Sequence, residues 1–208
     1  MYKQLQWNKT AYFDLETAPA DVDFWSLTNS PWLDIRNVGI SAYTFILPAN
    51  LYTEDMQQFG IVSTLEIEGA QFIAIQYYNN DNRELVKQNA IGILDAIANN
   101  IQTPTYIVGF NNNRFDNIAF EQYLTNEKEA QVYKYKNSQL YFTDLLPFAH
   151  TIGLHHLSEV GDFVGLPKLH STDNYMEYNL RDTAILIKFL KYINTKWSTK
   201  DDKEAMEL

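Results

Sequence analysis

Strand-like segments come first along this chain and helical and strand patterns alternate after them, an order that limits the folds open to it. At residues 10–15, Tyr12, Asp14 and Glu16 alternate with Phe13 and Leu15, the pattern of a strand that presents opposite chemistries to its two sides. Further strands are expected at residues 38–47, 60–67 and 71–78. A helix should cover residues 84–98, where Val86, Ala90, Ile93, Leu94 and Ile97 share a face and Asp81 with Glu84 forms a capping-box pair. Pro104 forbids its continuation.

Residues 105–110 then read as a buried strand, followed by an Asn-rich loop, a helix over about residues 115–124 and a strand at 141–145. A short helix at 158–164 stops at Gly165 and Pro167, and a long one at 175–193 is capped by Asn174 and Glu177. Strands first, followed by alternating helices and strands, predict an α/β fold: a mixed sheet flanked by helices.

At 208 residues with 46% hydrophobic side chains, the chain can bury one sizeable core. We expect one domain over residues 1–197, with 198–208 a charged C-terminal tail or the start of a linker. With no Cys there is no disulfide framework, thiolate metal site or Cys nucleophile, so any metal chemistry must use oxygen or imidazole. The first residues lack a secretory apolar stretch, and the longest apolar run, 184–190, is broken by Lys188. These features predict a soluble, intracellular, cytoplasmic protein with no membrane partner.

The acids carry the chemistry. Asp14 and Glu16 project from one strand face, close enough at the backbone for both to ligate one hard cation, although for that pair alone a solvated strand face is the favoured reading. Asp116 starts a helix, where Asp also serves as an N-cap acceptor. Tyr178 and Asp182 lie one turn apart on the last helix, beside Ile185, Leu186 and Phe189. A carboxylate on so apolar a face is costly unless a cation meets it, and Arg181 and Lys188 are the nearest candidates in sequence.

Three segments, YFDLET at 12–17, GFNNNRFD at 109–116 and YNLRDTAIL at 178–186, resemble the motifs of the proofreading exonuclease domains of family B DNA polymerases. Those domains belong to the DEDD, or DnaQ-like, superfamily of 3′→5′ exonucleases on a ribonuclease-H-like fold. The stretch LSEVGDFVGLPK at 157–168, after YFTDLLPFA at 141–149, is similar to the text these domains place before their third motif, so the likeness extends over residues 10–192. The superfamily divides on whether a His five residues before the last Asp or a Tyr four before it accompanies that Asp. Here those places hold Glu177 and Tyr178, which matches the Tyr subtype. His150, His155, His156 and His170 all precede the motif and are read as surface or loop residues without a catalytic role.

The resemblance implies a phosphodiester hydrolase using two divalent metal ions, Mg²⁺ or Mn²⁺. In it Asp14 bridges both ions, Glu16 and Asp182 complete one site, and Asp116 supports the other. Tyr178 would orient the attacking water, unless it is simply a core tyrosine. Asn111, Phe115, Leu15 and Thr17 would contact the substrate strand; Phe115 reads equally as a core residue. The implied substrate is the 3′ end of single-stranded or frayed DNA or RNA, shortened by release of nucleoside monophosphates, with a polymerase domain or replication protein as partner.

Two other outcomes stay within that resemblance, a ribonuclease-D-like RNA-trimming enzyme and a catalytically weak module that binds nucleic acid. An aspartyl-nucleophile phosphatase also starts with acids two apart at a strand end, but Glu16 stands where that class needs a second Asp, and its later Lys and paired-Asp motif is missing. The formal net charge of −10 argues against tight, sequence-independent binding of a polyanion. Cations bound at four carboxylates, and stacking in a polar-aromatic groove, would offset it.

Overall fold

The computed structural model describes residues 5–16, 39–113, 116–128, 132–169 and 174–198. Its strands are β1 (Ala11–Glu16), β2 (Ala42–Pro48), β3 (Ile61–Ile67), β4 (Ala70–Tyr78), β5 (Thr105–Gly109), β6 (Leu124–Glu127), β7 (Val132–Tyr135) and β8 (Leu140–Asp144). Its helices are α1 (Arg83–Asn100), α2 (Asp116–Ala119), α3 (Leu146–Thr151), α4 (Leu157–Phe163) and α5 (Tyr175–Ser198). The strands form one sheet in the order β3-β4-β2-β1-β5-β8-β7-β6. β1 runs parallel to β5 and β5 to β8, and the remaining pairs are antiparallel. This is the α/β mixed sheet flanked by helices, compatible with a ribonuclease-H-like sheet.

Strand alternation sorts the core into two layers. Phe13, Leu15, Phe45 and Ile75 face one way and pack with Val86, Ala90, Ile93, Leu94 and Ile97 of α1. Tyr12, Ile46, Ala74 and Val108 face the other way and meet Ile185, Leu186, Phe189, Leu190 and Ile193 of α5, with Phe148 of α3 and Val160 of α4. Register then builds rows across the α5 face. Tyr12, Ile46 and Ala74 make an apolar row; Asp14, Thr44 and Gln76 make the next; Glu16, Ala42 and Tyr78 make the last. The sheet therefore turns polar toward the N-terminal end of α5.

Glycine permits two close approaches that set this geometry. A Cβ at Gly161 would meet the Leu166 carbonyl oxygen at 2.8 Å and Ile185 Cδ1 at 2.9 Å, so α4 and the segment after it lie tight against α5. A Cβ at Gly109 would meet Asn112 Cβ at 2.9 Å and Phe13 Cε1 at 3.0 Å, so the loop leaving β5 folds back over its own strand.

Several boundaries differ from the sequence expectation. α1 is capped by Asn82, whose Oδ1 accepts from Leu85 N–H at 3.0 Å, and not by Asp81. The amides of Asp81 and Asn82 are already taken by Asn79 Oδ1 in a turn, at 3.0 and 2.9 Å. β2 starts at Ala42 because Gly39 is left-handed, with φ of 74°. The helix expected over residues 115–124 ends at Ala119, since Leu124 pairs with Tyr135 and opens the β6–β7 hairpin. That hairpin and α3 have no counterpart among the expected elements, although Pro147 in the first turn of α3 is a start signal. α5 continues to Ser198, with neither Gly nor Pro after residue 193 to stop it, and Asn174 Oδ1 accepts from Glu177 N–H at 3.2 Å as expected. Most of the expected tail, 199–208, lies outside the described residues. Among the described residues no helix is long and apolar enough to cross a membrane.

Candidate functional site

β1 ends at Glu16 and α5 starts at Tyr175, 159 residues later, yet the two converge on one acidic cleft. Asp14 and Glu16 rise from the polar end of β1, and Tyr178 and Asp182 descend from the first two turns of α5. Asp14, Glu16 and Asp182 each offer a carboxylate oxygen within 4.8 Å of the other two. Asp116, at the start of α2, lines the same cleft of about 300 Å³ but stands outside that oxygen cluster. Asn111 lines it too, held at φ of 59° on the loop after β5. Leu15 borders the cleft while its side chain belongs to the core beneath α1. Thr17, Phe115 and His170 lie outside the described residues.

Crowding like charges in a partly dry cleft shifts their proton affinities. Burial pushes the Asp14 carboxyl well above the usual carboxylate range, and Glu16, Asp116 and Asp182 push it further. Glu16 is pushed up to about 7, first by burial and then by Asp182. Asp116 is also raised, by burial, Glu16 and Asp144, against hydrogen bonding from its own backbone and that of Leu15. Asp182 is raised by burial, with Lys168 opposing. Burial likewise raises Tyr178.

The cation that meets Asp182 is neither Arg181 nor Lys188. Lys168 Nζ lies 2.5 Å from Asp182 Oδ2 and 4.6 Å from the centre of the Tyr178 ring, whereas Lys188 pairs with Glu68 at 3.4 Å. Lys168 also hydrogen-bonds the Tyr178 hydroxyl. Its position follows from the tight α4–α5 packing at Gly161, which delivers the chain just after Pro167 to the cleft. Sequence reasoning also missed Asn179. This fully buried side chain donates from Nδ2 to Asp14 Oδ2 at 2.8 Å and hydrogen-bonds Glu16. Its signal was a polar residue three before Asp182 on the face that α5 buries.

Two polar supports hold the cleft. Gln76 Nε2 donates to Thr44 Oγ1 at 3.1 Å and to the Met176 carbonyl at 2.7 Å, tying the first turn of α5 to the row that carries Asp14. Asp144, at the end of β8, accepts from the amides of Asn111 at 2.8 Å, Asn113 at 3.1 Å and Leu146 at 2.9 Å, which fixes the Asn-rich loop. His155 and His156, read from sequence as loop residues, line the cleft from the turn into α4. Their amides donate to Glu159 Oε2 at 2.6 and 3.1 Å.

The donor set fits a hard divalent cation. All the converging ligands are oxygen, and one carboxylate oxygen each of Asp116 and Asp182 is buried without a hydrogen-bond partner. A buried, unpartnered carboxylate oxygen is costly until something positive reaches it. Compared with protein-family models and with curated proteins, the chain matches none.

Proposed function

We propose that this protein is a metal-dependent 3′→5′ exonuclease of the DEDD type, Tyr subtype, acting on the 3′ end of single-stranded or frayed nucleic acid. The observation that carries this reading is the meeting of Asp14, Glu16 and Asp182 oxygens within 4.8 Å, from two segments far apart in sequence, with Tyr178 one helical turn from Asp182. Asp14, Glu16 and Asp182 would hold one Mg²⁺ or Mn²⁺ ion, and Asp116 with Asp14 a second. Bound there, the ions would acidify the attacking water and offset the charge that spreads over the phosphoryl oxygens.

The chain's own residues then have distinct tasks. Asn179 holds Asp14 in one rotamer through its 2.8 Å hydrogen bond, so the carboxylate is oriented before any ligand arrives. Tyr178 presents a hydroxyl beside the acids; with a pKa raised by burial it stays protonated and orients water instead of taking its proton. Lys168 neutralises Asp182 and holds the Tyr178 ring from above. Asn111, pinned by Asp144, offers its amide side chain to the strand end. A polymerase domain or replication protein is the partner class this reading implies.

The test uses end-labelled single-stranded DNA and RNA with Mg²⁺, Mn²⁺ or EDTA. Ladders shortened from the 3′ end, only with metal, are expected. Asp14→Asn should lower the rate at least about 10²-fold while raising the melting temperature in EDTA, because it removes a like charge without changing shape. Metal-independent binding without product release would instead favour a binding module, and a less stable Asp14→Asn would mark Asp14 as structural.

A further inference from the structure

The last polar row of the α5 face ends on an aromatic pair for which the cleft chemistry has no use. Tyr78, at the end of β4, and Tyr175, the first residue of α5, stack with ring centroids 5.5 Å apart and planes 8° from parallel. Tyr78 is 40% exposed, so its ring is open to a ligand from solvent. Its neighbour in sequence, Tyr77, points to the opposite face and packs on Tyr43, so the outward position of Tyr78 follows from strand alternation.

Register places the pair relative to the acids. Glu16 pairs with Ala42 and Ala42 with Tyr78, so Tyr78 lies two strands, about 10 Å, from Glu16 on the same face. Tyr175 precedes Tyr178 by three residues, so their side chains are neighbours on α5, about 5–6 Å apart at Cβ. The platform thus stands within a few nucleotides of the carboxylates. A chain of net charge −10, with Glu16 and Glu177 nearby, gains little from phosphate contacts here, whereas uncharged rings bind bases without regard to sequence.

We propose that the Tyr78–Tyr175 pair is a base-stacking subsite for the substrate single strand, gripping a nucleotide upstream of the terminal one held at Asp14, Glu16 and Asp182. The assignment rests on the nuclease reading for its substrate but predicts binding that can be read without cleavage.

The experiment measures anisotropy of a fluorescein-labelled oligothymidylate of about ten nucleotides in EDTA and in Ca²⁺, alongside Mn²⁺-dependent cleavage of the same oligonucleotide and of a dinucleotide. Tyr78→Leu should weaken the longer strand about tenfold and leave dinucleotide cleavage unchanged, while Tyr78→Phe, which keeps the flat ring, should stay within about twofold of wild type. Moving an abasic position along the oligonucleotide should reveal one upstream site where the loss matches that of Tyr78→Leu and where the two losses do not add. A Tyr78→Leu protein that loses melting temperature and weakens equally on both substrates would make the pair a structural clasp and overturn the subsite. If wild type cleaves but neither ring nor abasic position matters, the subsite fails alone. If wild type binds in a ring-dependent manner without cleaving, the subsite stands and the nuclease reading falls; if it does neither, both fall.

Discussion

The two faces of the sheet are cut from the same strands yet have opposite chemistries. On β1, Ala11, Phe13 and Leu15 are all buried in a continuous apolar layer under α1, while Tyr12, Asp14 and Glu16 on the other side pass from aromatic core to carboxylate within five residues. The α1 face is filled by side chains that gain by leaving water. The α5 face ends in four acids whose protonated forms the fold favours, and it is held in place by the apolar contacts at the far end of α5. One face supplies stability that the other uses to keep like charges together.

The comparison can be broken most sharply at Phe13, which stacks on Phe45 at 6.0 Å and meets Phe142 edge-on at 5.3 Å. Phe13→Ala should cost about 3–5 kcal/mol in denaturant unfolding, equally in EDTA and in Mn²⁺, because that face does not sense the cleft. A metal-dependent loss would mean the two layers are coupled.

Next in size is the response to pH of the metal-free protein. Glu16, raised from 4.5 to about 7, holds a proton in the fold that the unfolded chain releases, so its contribution is intact below 4.5 and is lost as pH rises toward 7. At about 1.4 kcal/mol per pH unit the loss amounts to a few kcal/mol, and the raised Asp14 and Asp116 act in the same direction. Melting scans in EDTA from acid to neutral pH should fall across this window, and Mn²⁺ should flatten the curve. A melting temperature that rises with pH would refute the picture of a repelling cluster.

Lys168→Met sharpens the comparison further, since it removes the cation seen paired with Asp182 and leaves a buried carboxylate beside Glu16. Stability in EDTA should drop by about 1–3 kcal/mol, less than for a fully buried pair because Lys168 is a quarter exposed, and added Mn²⁺ should recover most of it. An equal deficit with and without metal would make the ion pair purely structural. The smallest effect is expected for Gln76→Leu, which frees Thr44 Oγ1 and the Met176 carbonyl at a cost of about 1–2 kcal/mol. Its signature is weaker Mn²⁺ stabilisation, because the first turn of α5 loses its tie to the strand row; unchanged metal affinity would show that α5 is positioned by its apolar end alone.

Local pattern made β1, β3, β4, α1 and α5 legible, because each has an apolar period long enough to count. The β6–β7 hairpin was not. LTNE carries a single apolar residue, and its strand state comes from pairing Leu124 with Tyr135 and Asn126 with Tyr133. The acids were visible as types in suggestive local settings, Asp14 and Glu16 by alternation and Asp182 by its place on an apolar helix face. Their supports were not, since Lys168, Thr44 and Gln76 look ordinary within their own segments and Asn179 shows only as a polar residue on the buried face of α5.

What this sequence determined by itself is which side of each strand and helix a residue occupies, because strand and helix periods follow from backbone geometry alone. It thereby put Asp14 and Glu16 on one face and Tyr178 and Asp182 on one turn-spaced stripe. Which cation meets Asp182, which amide holds Asp14 and how far Tyr78 stands from Glu16 depend on the register between β1, β2 and β4 and on the close approach of α4 to α5 at Gly161. Those are contacts between segments separated by tens to more than a hundred residues, and only packing of the whole core chooses among the pairings that local preference leaves open.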